Sequence, residues 1–437
     1  MVSSVVRPTF KDPVLQQQIM DMRQVDNVTN LLYLALEYAS LILVIGGAVL
    51  FAEYRSIWGW SWWWNVPVFG AAIVAVGGLQ HRLAGLGHES AHYTFMKHRY
   101  LNDLIPDLFC MFPLLSTIHF YRLFHLGHHQ FTNDPHRDPD LLNLGHGKRA
   151  WEFPMTRGRF IALVYFSAVL APLRFLQYQW AYITLNTFGK GKSVYTDRAP
   201  GDDGGCTMPR LGTLFGLTYV FGLFALCRFF TRADRPELIV PAGLVGMFLA
   251  TLVILALPEW AIYRSPFRQV YSPRFASVMR VTYYTLVVMV LAGLRWATGG
   301  ASAVYATLLW FVPLGTTFMF FMFLRDVYQH SNADTGRFTN SRVFFPDFFT
   351  RWAIFVYGQD MHVPHHLFPA VPHYRLRRLH ELLKSSHAGY RLDVVEAHGT
   401  FHNHLGRCAI LDEMTRERPA GKSQLRKLKP QIRKPKT

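Results

Sequence analysis

Cysteine is scarce in this 437-residue chain, which holds only Cys110, Cys206, Cys227 and Cys408. They form no C-x-x-C pair and share no regular spacing, which excludes a disulfide framework and a thiolate zinc finger and fits a reducing compartment. The sequence also lacks an internal repeat and a second soluble domain. Residues Met1 to Asn27 carry charges and no compact apolar core, so no cleavable leader is expected and the first apolar run should serve as both address and anchor. Acidic residues are outnumbered, with 28 Asp and Glu against 45 Lys and Arg, a formal net charge of +17. Nucleic acid would suit such an excess. The basic residues, however, flank apolar runs and fill the tail from Arg416 to Lys436, which positive-inside topology explains better, so no nucleic-acid partner is expected.

What the chain does have is apolar residues, 51% of the total, gathered into long runs bounded by basic, Trp-rich or Pro-rich stretches. That distribution points to a bilayer, which a helix of roughly 20 apolar residues can cross. Six runs qualify: Leu31 to Phe51, Trp62 to Leu79, Leu211 to Phe230, Leu238 to Leu257, Val281 to Ala297 and Ser302 to Leu324. The link from Trp58 to Trp64 is dense in a side chain that favours the membrane–water interface, and is expected on the outer face. After the second run, Arg82, Lys97, Arg99, Arg122, Arg137, Lys148, Arg149, Arg157 and Arg159 resist translocation and predict a cytoplasmic stretch. Leu104 to Ile118, broken by Pro106 and Pro113, and Phe160 to Leu185, with Pro172 and Arg174, read as interfacial or re-entrant. If the histidine clusters near 88, 125 and 362 meet on one face, an even number of crossings must separate the second from the third, and four satisfy this. The linker from Tyr263 to Arg280 then falls inside, while Arg228, Arg232 and Arg235 fall outside, against the rule. The expected fold is all-α, with about six membrane spans and a histidine-rich cap facing the cytoplasm of a bacterial inner membrane or an endoplasmic reticulum.

Twenty histidines are present, and eight of them cluster. His88-Glu89-Ser90-Ala91-His92 ends the second apolar run, and its i, i+4 spacing puts both imidazoles on one helix face. His125-Leu126-Gly127-His128-His129 and His362-Val363-Pro364-His365-His366 are both H-x-x-H-H, whose first and last histidines stack one turn apart. A single first-row metal offers about 4 to 6 positions, so eight imidazoles argue for two ions, although imidazole suits Zn, Cu, Fe and Ni alike. Asp134, Asp138 and Asp140 lie close enough after the second cluster to accept the outer N–H of a ligating imidazole.

These motifs, in this order after a helical hairpin, resemble the membrane fatty acid desaturase and hydroxylase superfamily. The flanking residues add to the likeness: Gly87 and Tyr93 around the first motif, Leu101-Asn102-Asp103, Gln130-Phe131-Thr132-Asn133-Asp134, Asp138-Pro139-Asp140, and Leu367-Phe368-Pro369. The resemblance implies two Fe ions on the cytosolic side, O2 as oxidant, two electrons from a reductase chain, and a lipid or acyl chain in a tunnel between helices. It implies a ninth ligand, His330, in Asp326-Val327-Tyr328-Gln329-His330, and a weaker or indirect role for Asp326, where some relatives carry Asn. The third motif opens with His362 rather than Gln, and no cytochrome b5-like haem domain is visible. The electron donor, of ferredoxin or cytochrome b5 type, is therefore expected to be a separate protein. Desaturation of a fatty acyl chain is the leading activity, and hydroxylation or ketolation of a lipid or carotenoid the alternative, because the histidine motifs do not decide between them.

Two rival readings come from the residues themselves. His88-Glu89-x-x-His92 also fits a zinc metalloprotease, but that chemistry needs one further ligand and leaves both H-x-x-H-H clusters without a use. A metal carrier would place histidines along a path within the membrane, whereas here they flank the spans. His81, His136, His146, His373, His398, His402 and His404 are given no role, as interfacial or exposed histidines. The expected division is a cytosolic segment over 1–30, a membrane desaturase-like domain over 31–410 and a basic, disordered tail over 411–437.

Overall fold

A bilayer core offers no partner to backbone N–H and C=O groups, so an apolar run that crosses it must close its hydrogen bonds within a helix. The computed structural model, described for residue 10 and residues 12–144, 153–195, 210–258, 261–262, 266–267, 269–402 and 406–416, has six helices long and apolar enough to do so: Thr29–Tyr54, Trp62–Ala91, Leu211–Arg232, Pro236–Ala256, Pro273–Ala297 and Ala301–His330. They coincide with the six apolar runs. The chain opens with α1 (Pro13–Met22) and α2 (Thr29–Tyr54), then a 3-10 turn at Trp62–Trp64 leads into α3 (Asn65–Ala91). The four later spans are α10 (Arg210–Arg232), α11 (Ile239–Ala256), α12 (Pro273–Ala297), and the pair α13 (Ala301–Gly315) and α14 (Thr317–His330). Thr316, with φ −127° and ψ −87°, breaks that last span just after Pro313 and Gly315.

Two of the six spans, Trp62–Ala91 and Ala301–His330, are 30 residues long. At 1.5 Å per residue each measures about 45 Å, against a hydrocarbon core of about 30 Å, so each overruns the bilayer by several turns. They are also the most enclosed, with 33% and 50% of their apolar windows buried against 11–22% in the other four. Gly77 lets them touch: a Cβ there would lie 2.1 Å from Thr317 Oγ1 and 2.9 Å from the Phe318 amide nitrogen, distances no other residue could meet without a shift.

Between the second and third spans lie α4 (Arg99–Pro106), a π-helical turn at Asp107–Met111, α5 (Ile118–Phe131), α6 (Pro139–Asn143), α7 (Arg157–Phe160), α8 (Ser167–Leu170) and α9 (Pro172–Asn186). Neither Leu104 to Ile118 nor Phe160 to Leu185 makes a spanning helix. A buried ion pair knits this region together. Arg122 on α5 grips Asp103 on α4 at 2.7 and 2.9 Å and donates to the carbonyls of Ser90 and Ala91 at the end of α3. Loss of one partner from such a pair costs about 3–5 kcal/mol, because the other charge stays buried.

Beyond α14 the chain builds a small cap. Strand β1 (Val343–Phe345) pairs in parallel with β2 (Glu396–His398), and around them lie α15 (Phe348–Ala353), α16 (His362–Leu367), α17 (Leu376–Ser386), α18 (Ala388–Asp393) and α19 (Ile410–Thr415). The N-terminal α1 packs its buried Leu15, Ile19 and Met22 into the same core as Leu376, Leu379, Leu383 and Tyr390. The folded body therefore reaches past both bounds of 31–410. On the N-terminal side it takes in α1, and on the C-terminal side α19 corrects the expectation of a tail from 411, since Ile410, Leu411 and Met414 are almost fully buried in the main core. The rest of that tail, Cys206, His146, His404 and the loop from Gly201 to Gly205 lie outside the described residues.

Candidate metal centre

Each histidine motif sits where a helix is stopped or capped. Helix α3 ends because Tyr93 takes a left-handed φ of 61°, held under the guanidinium groups of Arg99 and Arg122 at 4.1 and 4.3 Å from its ring. His88 and His92 lie on its last turn. Helix α5 is capped by the Thr117 side chain and carries His128 and His129 in its last turn, with His125 one turn earlier. Helix α14 ends at His330, and the four carbonyls of Tyr328, Gln329, Ser331 and Asn332 are taken by the fully buried guanidinium of Arg342 at 2.7–3.3 Å. A cation there also complements the negative end of the helix dipole. In α16, Pro364 falls in the first turn, where its missing N–H leaves no hydrogen bond unmade.

The nine imidazoles form two adjacent groups. His88, His92, His125, His129 and His365 make one, and His128, His330, His362 and His366 the other, with the ring nitrogens of each group within 4.8 Å of one another. In the first, Nε2 faces Nε2 at 3.1 Å between His88 and His365, 2.7 Å between His92 and His125, and 3.1 Å between His129 and both His125 and His365. In the second the distances are 3.2 Å from His330 to His128, 2.8 Å from His330 to His362, and 3.0 Å from His362 to His366. The stacked rings of His129 and His366, 4.2 Å apart, join the groups. Both H-x-x-H-H motifs divide the same way: the first and fifth histidines enter one group and the fourth the other. Successive residues on a helix are rotated by about 100°, so an adjacent His-His pair points to different places while an i, i+4 pair does not.

The outer nitrogens explain which way the lone pairs face. His128 Nδ1 lies 3.0 Å from Asp138 Oδ1 and 3.3 Å from Asp140 Oδ2, and His330 Nδ1 lies 3.2 Å from the Asn340 carbonyl oxygen. His366 Nδ1 meets the Thr132 hydroxyl at 3.0 Å. An imidazole that donates from Nδ1 presents a bare lone pair at Nε2. Burial, reinforced by the neighbouring rings, pushes the imidazoles of His92, His125, His129, His362, His365 and His366 well below their ordinary pKa, which keeps them neutral. Burial acts the same way on His128 but is outweighed by Asp138 and Asp140, which raise it to about 9. A cation at Nε2 would replace that second proton and leave Nδ1–H on Asp138. Neutral, buried nitrogens pressed together at these distances repel unless something positive lies among them, and the donor set fits a pair of first-row transition metal ions.

Of the carboxylates considered from sequence, Asp138 faces the centre and Asp134 does not. Asp134 is turned to Arg137, which it meets at 2.5 and 2.8 Å near the surface, so an outer-partner role for it is corrected. Asp138 does two jobs, because it also caps α6 through the Asp140 amide at 2.9 Å and holds the Asn133 amide at 2.7 Å. Asp326 belongs to neither imidazole group: Arg325 occupies one oxygen at 2.7 Å and the Tyr178 hydroxyl the other at 2.7 Å. Glu89 accepts from the Thr94 hydroxyl at 2.8 Å and the His373 amide at 3.0 Å, and its nearest imidazole atom is the outer His88 Nδ1 at 3.5 Å. It is a brace, and not poised as the base a metalloprotease needs. His81 bonds the Ala353 carbonyl at 2.7 Å, away from the centre. His136 and His402 are exposed, but His373 is buried and pairs with Asn30 Oδ1 at 2.9 Å, which corrects its reading as a surface residue. Sequence reasoning gave no role to Thr132, although it stands in the stretch after the second motif, and missed Asn340 and Arg342, for which no motif offered a signal.

Comparison with known proteins agrees with this geometry. The family model described as fatty acid desaturase matches residues 61–256 and 228–395, which include all nine histidines. The chain is 32% identical over 128 residues to a dihydrorhizobitoxine desaturase from Bradyrhizobium elkanii, covering 29% of this chain and 32% of that one. It is 42% identical over 48 residues to an sn-1 oleoyl-lipid 12-desaturase from Anabaena variabilis, covering 11% and 13%. A Delta(12) fatty acid desaturase, fat-2, from Caenorhabditis elegans is 28% identical over 117 residues, 26% of this chain and 27% of that one. The matched segments thus span about a third or less of these relatives.

Proposed function

This chain belongs to the fatty acid desaturase family, and we propose that it is an integral membrane di-iron oxidase that desaturates an acyl chain. It would use O2 and electrons from a separate donor of ferredoxin or cytochrome b5 type. The observation that carries this reading is the meeting of nine imidazoles in two adjacent groups at the C-terminal ends of the two longest spans. His88, His92, His125, His129 and His365 would hold one ion and His128, His330, His362 and His366 the other. Bound iron would supply the O2-dependent oxidation that an unactivated methylene requires and that no side chain can perform alone.

The protein's part is orientation and enclosure. Asp138 keeps the His128 proton on Nδ1, the Asn340 carbonyl does the same for His330, and Arg342 fixes the end of the helix on which His330 stands. Tyr121 stacks at 4.9 Å on His125, and the burial of His88, His92, His128, His362 and His365 keeps the centre away from bulk water. One hydrogen leaves each of two neighbouring methylenes. With O2, two electrons and two protons they give two waters, so the donor must deliver both electrons in each turnover. The basic stretch before α10 supports a cytoplasmic location for the centre. Two of the relatives are named for acyl desaturation, which supports an acyl-lipid substrate.

Lipid mass spectrometry of cells making the wild type or His365→Ala, together with iron and zinc content of the purified proteins, tests the proposal. Acyl species about 2 mass units lighter, made by the wild type alone and accompanied by iron, are expected. Species about 16 units heavier would replace desaturation by hydroxylation. Zinc with no lipid change would sink the di-iron reading.

A further inference from the structure

The face opposite the histidines carries arginines that positive-inside topology disfavours. Helices α10 and α12 both end there, and Arg228, Thr231 and Arg232 from the first meet Arg295 and Trp296 from the second, and Gly299 just past its end, around one cavity of about 280 Å³. The α13 end of the 30-residue last span begins beside it, so the cavity lies about 45 Å from His330. Three guanidinium groups around one opening repel one another, and no carboxylate among the described residues pairs with any of them. Glu237 is occupied by Arg235, and Glu53 accepts from the Ser302 hydroxyl at 2.8 Å. Arg295 spends one nitrogen on the Gly300 carbonyl at 3.0 Å, which fixes its position and leaves its other donors available. Trp296 is half exposed at the rim, where a membrane protein's tryptophans sit at headgroup level.

We propose that this cavity binds a phosphate group, and that its occupant is the phosphodiester of an anionic phospholipid in the far leaflet. Planar guanidinium groups match phosphate oxygens two at a time, and the cavity has room for a headgroup but not for acyl chains. The chains would lie along the exposed apolar faces of α10 and α11, where Leu217, Phe221, Phe224, Val245 and Phe248 point outward. An anion here offsets the cost of holding Arg228, Arg232 and Arg295 on the outer side. The inference rests on the six-span membrane reading but not on the identity of the metal.

Native mass spectrometry of the full chain, purified in detergent mixed with equal dioleoylphosphatidylglycerol and dioleoylphosphatidylcholine, tests it. The wild type is expected to retain one phosphatidylglycerol in preference to phosphatidylcholine. Replacement together by Arg228→Gln, Arg232→Gln and Arg295→Gln should reduce that preference about tenfold or more while iron content is unchanged. The triple Arg→Lys variant, which keeps charge and loses the planar fork, should fall between; it carries the test with Arg232→Gln if the glutamine triple fails to fold. Equal retention by wild type and the Arg→Gln variants overturns the site. Displacement of the lipid by millimolar inorganic phosphate, with a phosphate adduct in its place, overturns the lipid as occupant.

Discussion

The two ends of the same membrane helices have been built for opposite purposes. At the histidine end the polar groups are enclosed and paired: Asp138 with His128, Asp103 with Arg122, Arg342 with four carbonyls. At the other end, Trp58, Trp60, Trp62, Trp63 and Trp64 are exposed, and Arg228 and Arg232 have no carboxylate partner among the described residues. Enclosure makes each group at the first end depend on its neighbours, so single changes there should be costly. At the second end lipid and water supply the partners, and single changes should be nearly silent in turnover. The difference teaches that the long helices do more than anchor: their C-terminal ends carry His88, His92 and His330 into a protein-lined space.

The contrast can be broken most directly at the centre. His128→Ala should abolish turnover and metal loading while the protein stays in the membrane, with His136→Ala unchanged in both; metal analysis and lipid turnover on the pair would decide, and full activity in His128→Ala would remove it from the ligand set. Arg342→Gln comes next. It strips charge-assisted bonds from four carbonyls at the end of α14, while Glu413 keeps Arg416 at 2.8 Å, so thermal unfolding in detergent should show a loss of about 3 kcal/mol. Asp138→Asn should lower metal affinity or turnover by roughly 10–100-fold, the usual cost of an outer carboxylate, whereas Asp134→Asn should not differ from wild type. Equal effects from the two would mean that the Asp138 contact with His128 has no functional weight.

The smallest effect is expected at the cap's surface. Glu396 has its pKa lowered to about 2, chiefly by its hydrogen bond to His380 and then by that to Lys384, against the opposing effect of burial. A depressed carboxylate adds stability above its unfolded pKa of 4.5 and loses it as pH falls towards 2. Because the site is partly solvated, the contribution should be about 1 kcal/mol or less. Melting curves of wild type and Glu396→Gln should therefore differ at pH 7 and converge in acid; a constant gap across that range would rule the linkage out.

The six spans could be read from sequence because hydrocarbon thickness imposes a run length that no other constraint imitates. The histidine sets were equally legible, since spacing of four on a helix encodes a shared face. What could not be read was direction around a loop. Asp134 and Asp138 stand four apart and look equivalent in sequence, but Asn133 turns the chain with φ 61° and aims only the second at His128. His373 read as a surface residue because its partners, Asn30 and Glu89, are 343 and 284 positions away. Arg342 lies in no motif, and only the fold shows four carbonyls converging on it. The edge of the tail failed for a related reason: Ile410, Leu411 and Met414 are too few to register as an apolar run, yet enough to dock one short helix.

The wide spacing of the imidazoles along the chain also sets a schedule. His88 and His365, whose nitrogens stand 3.1 Å apart, are separated by 277 positions, so a ribosome adding about 5–20 residues per second delivers the second on the order of tens of seconds after the first. Throughout that interval the early histidines wait, already at the mouth of an inserted hairpin, with only part of their set present. Neither group is complete until four more spans have entered the membrane and α16 has folded back. Loading of the two ions proposed for these groups would therefore be an event of the finished chain, and a truncated product stalled after the second hairpin would display histidines yet hold no paired centre.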